Sequence, residues 1–273
     1  MSATELILDV DTGVDDALAI IFAVRHPGLH VRAISCVAGN TGVDQVVANT
    51  LAVLDHAGAE DVPVGRGAAR PLLNPVYDAR HVHGTDGLGD LALPASDRRP
   101  AAVGAVELLR ERILSSPAPV TLVPLGPLTN IALLLRTYPE VVSGLERIVF
   151  MGGAVSGGNA SAVAEFNVWH DPEAAAIVLD TDVPILMYGL DVFYDVAVEP
   201  ATYERLREHT DPAVRLAGSL IAHSHRVVRT DPRAAPGGLI GDAGAVCAVA
   251  DGSRLMTERL PVRVEVAAGL CRG

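Results

Sequence analysis

The sequence predicts an α/β fold, an open and mainly parallel sheet flanked by helices on both faces. Two observations predict it. Apolar runs alternate with helical patterns from one end of the chain to the other, as in repeated βα units. The first unit is the plainest: the apolar run Leu6-Ile7-Leu8 leads into an acidic turn, and Ala17 to Val24 then reads as a buried helix. Gly13 supplies the sharp backbone turn between them.

The elements follow in order. Residues 6–10 read as a strand and 16–25 as a helix; 31–37 as a strand and 43–57 as a helix; 61–64 as a short strand. Then come a helix over 101–114, a strand over 120–124, a helix over 128–137 and a strand over 147–151. A helix over 172–179 has Asp171 as N-cap and Pro172 at its first position. A strand over 184–188 precedes helices near 201–209 and 213–228, and a helix over 243–250 precedes a last strand over 260–267. There is no internal repeat, low-complexity tract or linker, so 1–273 reads as one domain. Three loops are long, 65–100, 152–170 and 228–242, and long loops in a compact domain are often functional.

Composition narrows the chemistry. Twenty-one basic residues against 33 acidic ones give a net charge of −12, which argues against nucleic acid or an anionic membrane as partner. All the basic residues are Arg. Without Lys there is no Lys Schiff base, no P-loop Lys and no Ser–Lys dyad. No apolar run has the length of a membrane span, and the first residues lack the pattern of a signal peptide. Cys36, Cys247 and Cys271 are scattered thiols in no CxxC arrangement, so a cytoplasmic protein is expected.

Asp9, Asp11, Asp15 and Asp16 put four carboxylates into eight residues. Like charges this close are tolerated most easily when a hard cation or a proton offsets them. In this fold class ligands bind at the carboxyl ends of the strands. The side chains expected there are Asp9 and Asp11, then Asn40, the stretch 124–130, and Asn159, Glu165, Phe166 and Asn167 after Gly152-Gly153. Asp242 opens the late helix, and the 65–100 loop adds His81 and His83. Acids and amides are oxygen ligands for a hard cation and partners for hydroxyl groups. No His/Cys cluster has zinc spacing, which favours Ca²⁺ or Mg²⁺. Plainer roles account for part of this set. An Asp after a strand can simply cap a helix, which covers one or two of the four acids. His81 and His83 fit loop surface equally well, His223 and His225 fit a structural or exposed helix face, and His170-Asp171 fits a helix start.

Leu8-Asp9-Val10-Asp11-Thr12 superficially resembles the Asp-x-Asp motif of haloacid dehalogenase-type phosphatases, but that family uses a Lys that this chain lacks. A longer set of motifs is similar to those of the inosine–uridine-preferring nucleoside hydrolases. Asp9 to Ala17 matches their Asp-x-Asp-x-Gly-x-Asp-Asp-Ala signature. Further matches are Gly39-Asn40, His83-Gly84-x-Asp86-Gly87-Leu88-Gly89 and Gly126-Pro127-Leu128-Thr129-Asn130. Met151-Gly152-Gly153, Asn159, Ala164-Glu165-Phe166-Asn167, Asp171-Pro172-Glu173-Ala174-Ala175 and Asp242 complete the ordered set. The resemblance implies a tightly bound Ca²⁺ and hydrolysis of the N-glycosidic bond of ribonucleosides. It makes Asp11, Asp16, the carbonyl of Leu125 and Asp242 the metal ligands, and Asp15 the general base for a metal-bound water. Asn40, Met151, Asn159, Glu165 and Asn167 would bind ribose, with His83 and Phe166 near the base or the sugar. It also suggests a homodimer or homotetramer acting on a small-molecule nucleoside.

Such a reaction passes through an oxocarbenium-like transition state, related to that of O-glycosides. Ca²⁺ accepts 6–8 oxygen ligands, leaving room beside the protein for water and ribose hydroxyls. Two departures from the family pattern stand out. Many members have a His directly before the late Asp, placed to protonate the leaving base; here Gly241 stands there. The family pattern also continues with a strand and helix beyond a Cys/Thr-Arg-Gly turn, whereas this sequence stops at Cys271-Arg272-Gly273. The alternative implied by these departures is a Ca²⁺-dependent ribose- or nucleoside-binding homologue with little turnover.

Overall fold

The computed structural model describes residues 3–273, apart from the Arg254 side chain. β1 (Thr4–Val10) is followed by α1 (Val14–Arg25), β2 (Leu29–Cys36), α2 (Val43–Ala57), β3 (Val64–Arg66), a one-turn α3 (Arg80–His83), α4 (Ala105–Leu114), β4 (Val120–Pro124) and α5 (Thr129–Thr137). Then come β5 (Leu145–Met151), α6 (Phe166–His170), α7 (Pro172–Leu179), β6 (Ile185–Tyr188), α8 (Leu190–Phe193), β7 (Ala197–Val198), α9 (Pro200–Arg207), α10 (Pro212–Val228), β8 (Gly238–Leu239) and α11 (Ala243–Ala250).

The main sheet has the order β3-β2-β1-β4-β5-β6, and every neighbouring pair is parallel. Along β1 the side chains alternate between two cores, as the two-residue period of a strand requires. Leu6, Leu8 and Val10 pack with α1, α2, α10 and α11 on one face, and Ile7 packs with α4, α5 and α7 on the other. The sheet grows outward in both directions from the β1/β4 pair, so the crevice of the strand-order reversal opens at the ends of these two strands. Asp9 lies opposite Pro124 there, and the acidic turn follows directly.

One buried hub ties this end together. The fully buried Asn130 donates to Asp9 Oδ1 (2.8 Å) and to the Cys36 carbonyl (3.0 Å), and accepts from Ala68 N–H (2.9 Å). Truncating it removes three hydrogen bonds and leaves Ala68 N–H without its acceptor, although Asp9 Oδ1 keeps Ser35 Oγ (2.6 Å) and the Cys36 carbonyl keeps Gly67 N–H (2.9 Å). Asn130→Ala is expected to cost about 2 kcal/mol of stability, read as a lower urea midpoint at unchanged m-value.

Four expected elements have the bounds found: α2, β4, α7 and α11. Asp171 caps α7 through Ala174 N–H, with Pro172 at the first position. The last expected strand does not form. Residues 255–267 have no regular structure among the described residues, and Met256, Leu260, Val262 and Val266 are exposed. A strand needs a ladder partner and a core face, and the sheet ends at β6 without taking this segment up. The helix expected from 101 starts only at Ala105, because Gly104 serves as its N-cap. The short strand expected over 61–64 lies later, at Val64–Arg66.

Candidate active site

The first turn of α1 organises the acids. Asp16 reaches back to accept Gly13 N–H (2.8 Å) and Asp11 N–H (3.3 Å), so one carboxylate closes the helix start and orients the strand end. Asn40 N–H donates to Asp11 Oδ2 (2.8 Å), and its side-chain amide donates to Asp16 Oδ2 (3.3 Å). Asp11 lies between Gly39 and Gly126; a Cβ added at either would come within 2.8 Å of the Asp11 Cγ. Two motif glycines therefore exist to let backbone approach this carboxylate closely.

Asp15, Asp16 and Asp242 bring one oxygen each within 4.8 Å of one another. Burial, reinforced by repulsion from Asp16, pushes the Asp11 carboxyl well above the usual range; burial and then Asp15 do the same to Asp242. Asp16 is pushed up to about 7 by burial and by Asp15. Asp15 Oδ1 is buried without a hydrogen-bond partner. An orphaned carboxylate oxygen within a repelling all-oxygen donor set fits a hard divalent cation better than any uncharged group.

These residues form the floor of a cavity of about 500 Å³. Asp11, Asp15, Asn40, His83, Leu125, Met151, Asn159, Glu165, Phe166, Asn167 and Asp242 all line it; Asp16 lies fully buried beneath. Glu165 caps α6, its carboxylate accepting from Asn167 N–H (2.8 Å), Val168 N–H (3.1 Å) and Gly153 N–H (3.0 Å), yet burial still holds it up at about 7. Asn167 donates to the carbonyls of Leu125 (2.7 Å) and Met151 (3.2 Å). A carbonyl has two lone pairs, so Leu125 keeps one for another partner. Asn159 Oδ1 accepts Phe166 N–H (2.8 Å) and fixes the 152–165 loop over the cavity. His83 Nδ1 accepts Val14 N–H (3.1 Å) and lies 3.8 Å from Asp15 Oδ1. A backbone N–H can only donate, so the neutral ring carries its proton on Nε2. Burial lowers the His83 pKa and favours that neutral form.

The family model described as inosine-uridine preferring nucleoside hydrolase matches residues 6–273. The chain belongs to this family. Pyrimidine-specific ribonucleoside hydrolase RihA of Shewanella sp. (strain MR-7) is 46% identical over 216 residues, 79% of this chain and 68% of the relative. The protein of the same description from Salmonella arizonae is 43% identical over 219 residues, 80% and 70% of the two chains. Among solved structures, a purine-preferring ribonucleoside hydrolase from Gardnerella vaginalis superposes with a TM-score of 0.92 at 31% identity, covering 99% of this chain and 87% of that one. A plant nucleoside hydrolase gives the same TM-score and identity, with 98% and 85% covered. As a nucleoside hydrolase family member, the protein is an N-ribosyl hydrolase.

Other parts of this nucleoside hydrolase site were legible only in part beforehand. Tyr77 and Trp169, with ring centroids 4.6 Å apart, form one wall; Phe193 at the end of α8, its C-cap Tyr194, and Val227 and Val228 at the end of α10 supply more. The available signal was the chain's single Trp, set between Asn167 and His170. Arg233 reaches from the 228–242 loop to the Gly158 carbonyl (2.8 Å) while its guanidinium lies over Tyr194, so the two mouth loops are joined. His81 and His223 also line the cavity, and His223 Nε2 meets the Val82 carbonyl at 2.9 Å. His225 pairs with Tyr203 (2.7 Å) and is not part of the lining. Asp171 is structural: besides its cap it accepts from Thr129 Oγ1 (2.6 Å) and Leu72 N–H (2.9 Å).

Proposed function

We propose that this enzyme hydrolyses the N-glycosidic bond of ribonucleosides in a Ca²⁺-dependent reaction with Asp15 as general base. The observation that carries the reading is the unpartnered Asp15 Oδ1, which borders the carboxylate cluster in the cavity floor. Asp11, Asp16, the Leu125 carbonyl and Asp242 would hold the ion. When bound, it offsets the clustered charge and acidifies coordinated water. Asp15 accepts the proton of the attacking water as the C1′–N bond breaks. Asn40, Asn159, Glu165, Asn167 and Met151 would grip the ribose, and the negative field of the floor suits the cationic sugar that develops. The departing base must take up a proton, and position 241 offers none; His83, with its proton on Nε2, is the nearest imidazole to Asp15 in the cavity lining.

Pyrimidine ribonucleosides are the proposed substrates. Support comes from the relatives at 43–46% identity, described as pyrimidine-specific, against a purine-preferring one at 31%. The test is release of reducing sugar from uridine, cytidine, inosine, adenosine and guanosine, each with and without chelator. Chelator-sensitive release with uridine and cytidine ahead is expected. Bound ribose without release would instead mark a binding homologue. Removal of the 2′-hydroxyl leaves polar partners unsatisfied, so 2′-deoxyuridine is expected to lose at least about 10²-fold in kcat/KM against uridine.

A further inference from the structure

Gly241 occupies the left-handed region, with φ of +54°. A Cβ built there would lie 2.5 Å from the Asp15 Cβ and 2.9 Å from its Cγ. Rotation of the Asp15 side chain moves its carboxylate but not its Cβ, so no rotamer relieves this contact. Neither backbone is free to withdraw. Val14 N–H is tied to His83 and Gly13 N–H to Asp16, which fixes the first turn of α1. On the other side, Leu239 pairs with Ala197, Ile240 N–H donates to the Val196 carbonyl (3.3 Å) and Gly244 N–H to the Gly241 carbonyl (2.9 Å).

We propose that Gly241 is a positioning residue for the reaction: its bare backbone is the surface against which Asp15 seats, and this sets where the Asp15 carboxylate stands relative to Asp16 and Asp242. The proposal rests on the reading of Asp15 as general base. It gives position 241 a role opposite to that of a vacant acid, because with the left-handed backbone of this chain a side chain there displaces the base from its place. A misplacement of about 1 Å at a reacting group can cost about 10²-fold in rate.

Gly241→Ala should therefore lose about 10²-fold in kcat, while Ca²⁺ binding measured by calorimetry changes little. Gly58 is the control for backbone strain. It is also left-handed, with φ of +67°, and a Cβ there meets nothing nearer than Arg25 Nη1 at 4.0 Å. Gly58→Ala should lower Tm by the cost of the left-handed backbone alone and leave kcat unchanged. In an Asp15→Asn background, Gly241→Ala should cost nothing further, since the group it displaces is already disabled. Gly241→His should lower turnover as well; a gain would mean that the site was short of an acid, and would overturn the proposal. Wild-type kcat in Gly241→Ala, or an equal loss in the Asp15→Asn background, overturns it too. If Gly241→Ala does not fold, Asp15→Glu leaves residue 241 untouched and pushes an extra methylene toward it; near-normal turnover there counts against the seat. An Asp15→Asn enzyme with normal turnover sinks the general-base reading itself, whereas inactive Asp15→Asn beside fully active Gly241→Ala sinks only the proposal.

Discussion

Asp15→Asn is expected to lower kcat by about 10²–10⁴-fold while Ca²⁺ still binds. The amide has the shape of the carboxylate but cannot accept the water proton. Asp15 is partly open, with 17% of its side chain exposed, and is not among the expected ligands, so the ion should keep its main contacts. One negative charge also leaves a cluster in which Asp15 raises the carboxyls of Asp16 and Asp242. The metal-free variant should consequently melt above metal-free wild type. Single-turnover sugar release, calorimetric titration with Ca²⁺ and melting in chelator give the three readings. Normal release would remove Asp15 from the chemistry.

Removing the proposed cation, or Asp242 as its proposed ligand, should have the largest effect on stability. An ion at about 1,000 times its Kd adds about 4 kcal/mol, which for a chain of this size is roughly 10 °C in Tm. Asp242→Ala should abolish that calcium-dependent shift. In chelator the protein should also acquire a pH dependence of a defined sign. Asp9, Asp16 and Glu165 are held at about 7 in the folded state, against ordinary values of 3.8 to 4.5. The folded chain then keeps protons that the unfolded chain releases, so stability is greatest below about pH 4 to 5 on this account and falls as pH rises to 7. Added Ca²⁺ should flatten the part of this slope due to Asp16. A calcium-independent Tm in wild type would count against the cation site.

Local elements were readable because their signals are local. The acidic turn and the Asp171 cap each sit within a few residues of what they control. The cavity walls are held from a distance instead. Asn49, in the second helix, donates to the carbonyls of Thr12 (3.1 Å) and Asp86 (2.8 Å), 37 residues away in each direction. Asp191 accepts Val155 N–H (2.7 Å) and Ser156 N–H (3.0 Å) and so shapes a loop that precedes it by 35 residues. No periodicity announces such bonds. The Val-x-Val-x-Val stretch at 262–266 misled for the converse reason, since alternation reports a capacity to pair and not the presence of a partner.

The joining of the two mouth loops through Arg233 bears on how such an enzyme diversifies. The acids, Asn40 and Asn167 are anchored to strand ends and helix starts, where an insertion or a bulkier residue would disturb the sheet. Tyr77, Tyr194, Arg233 and their neighbours stand on chain segments fastened by a few side-chain bonds. Mutation can rebuild these walls without touching the hydrolytic floor. Relatives described as pyrimidine-specific and purine-preferring can then share one fold. Selection for a new leaving base would act on the loops first, with the sugar chemistry inherited intact.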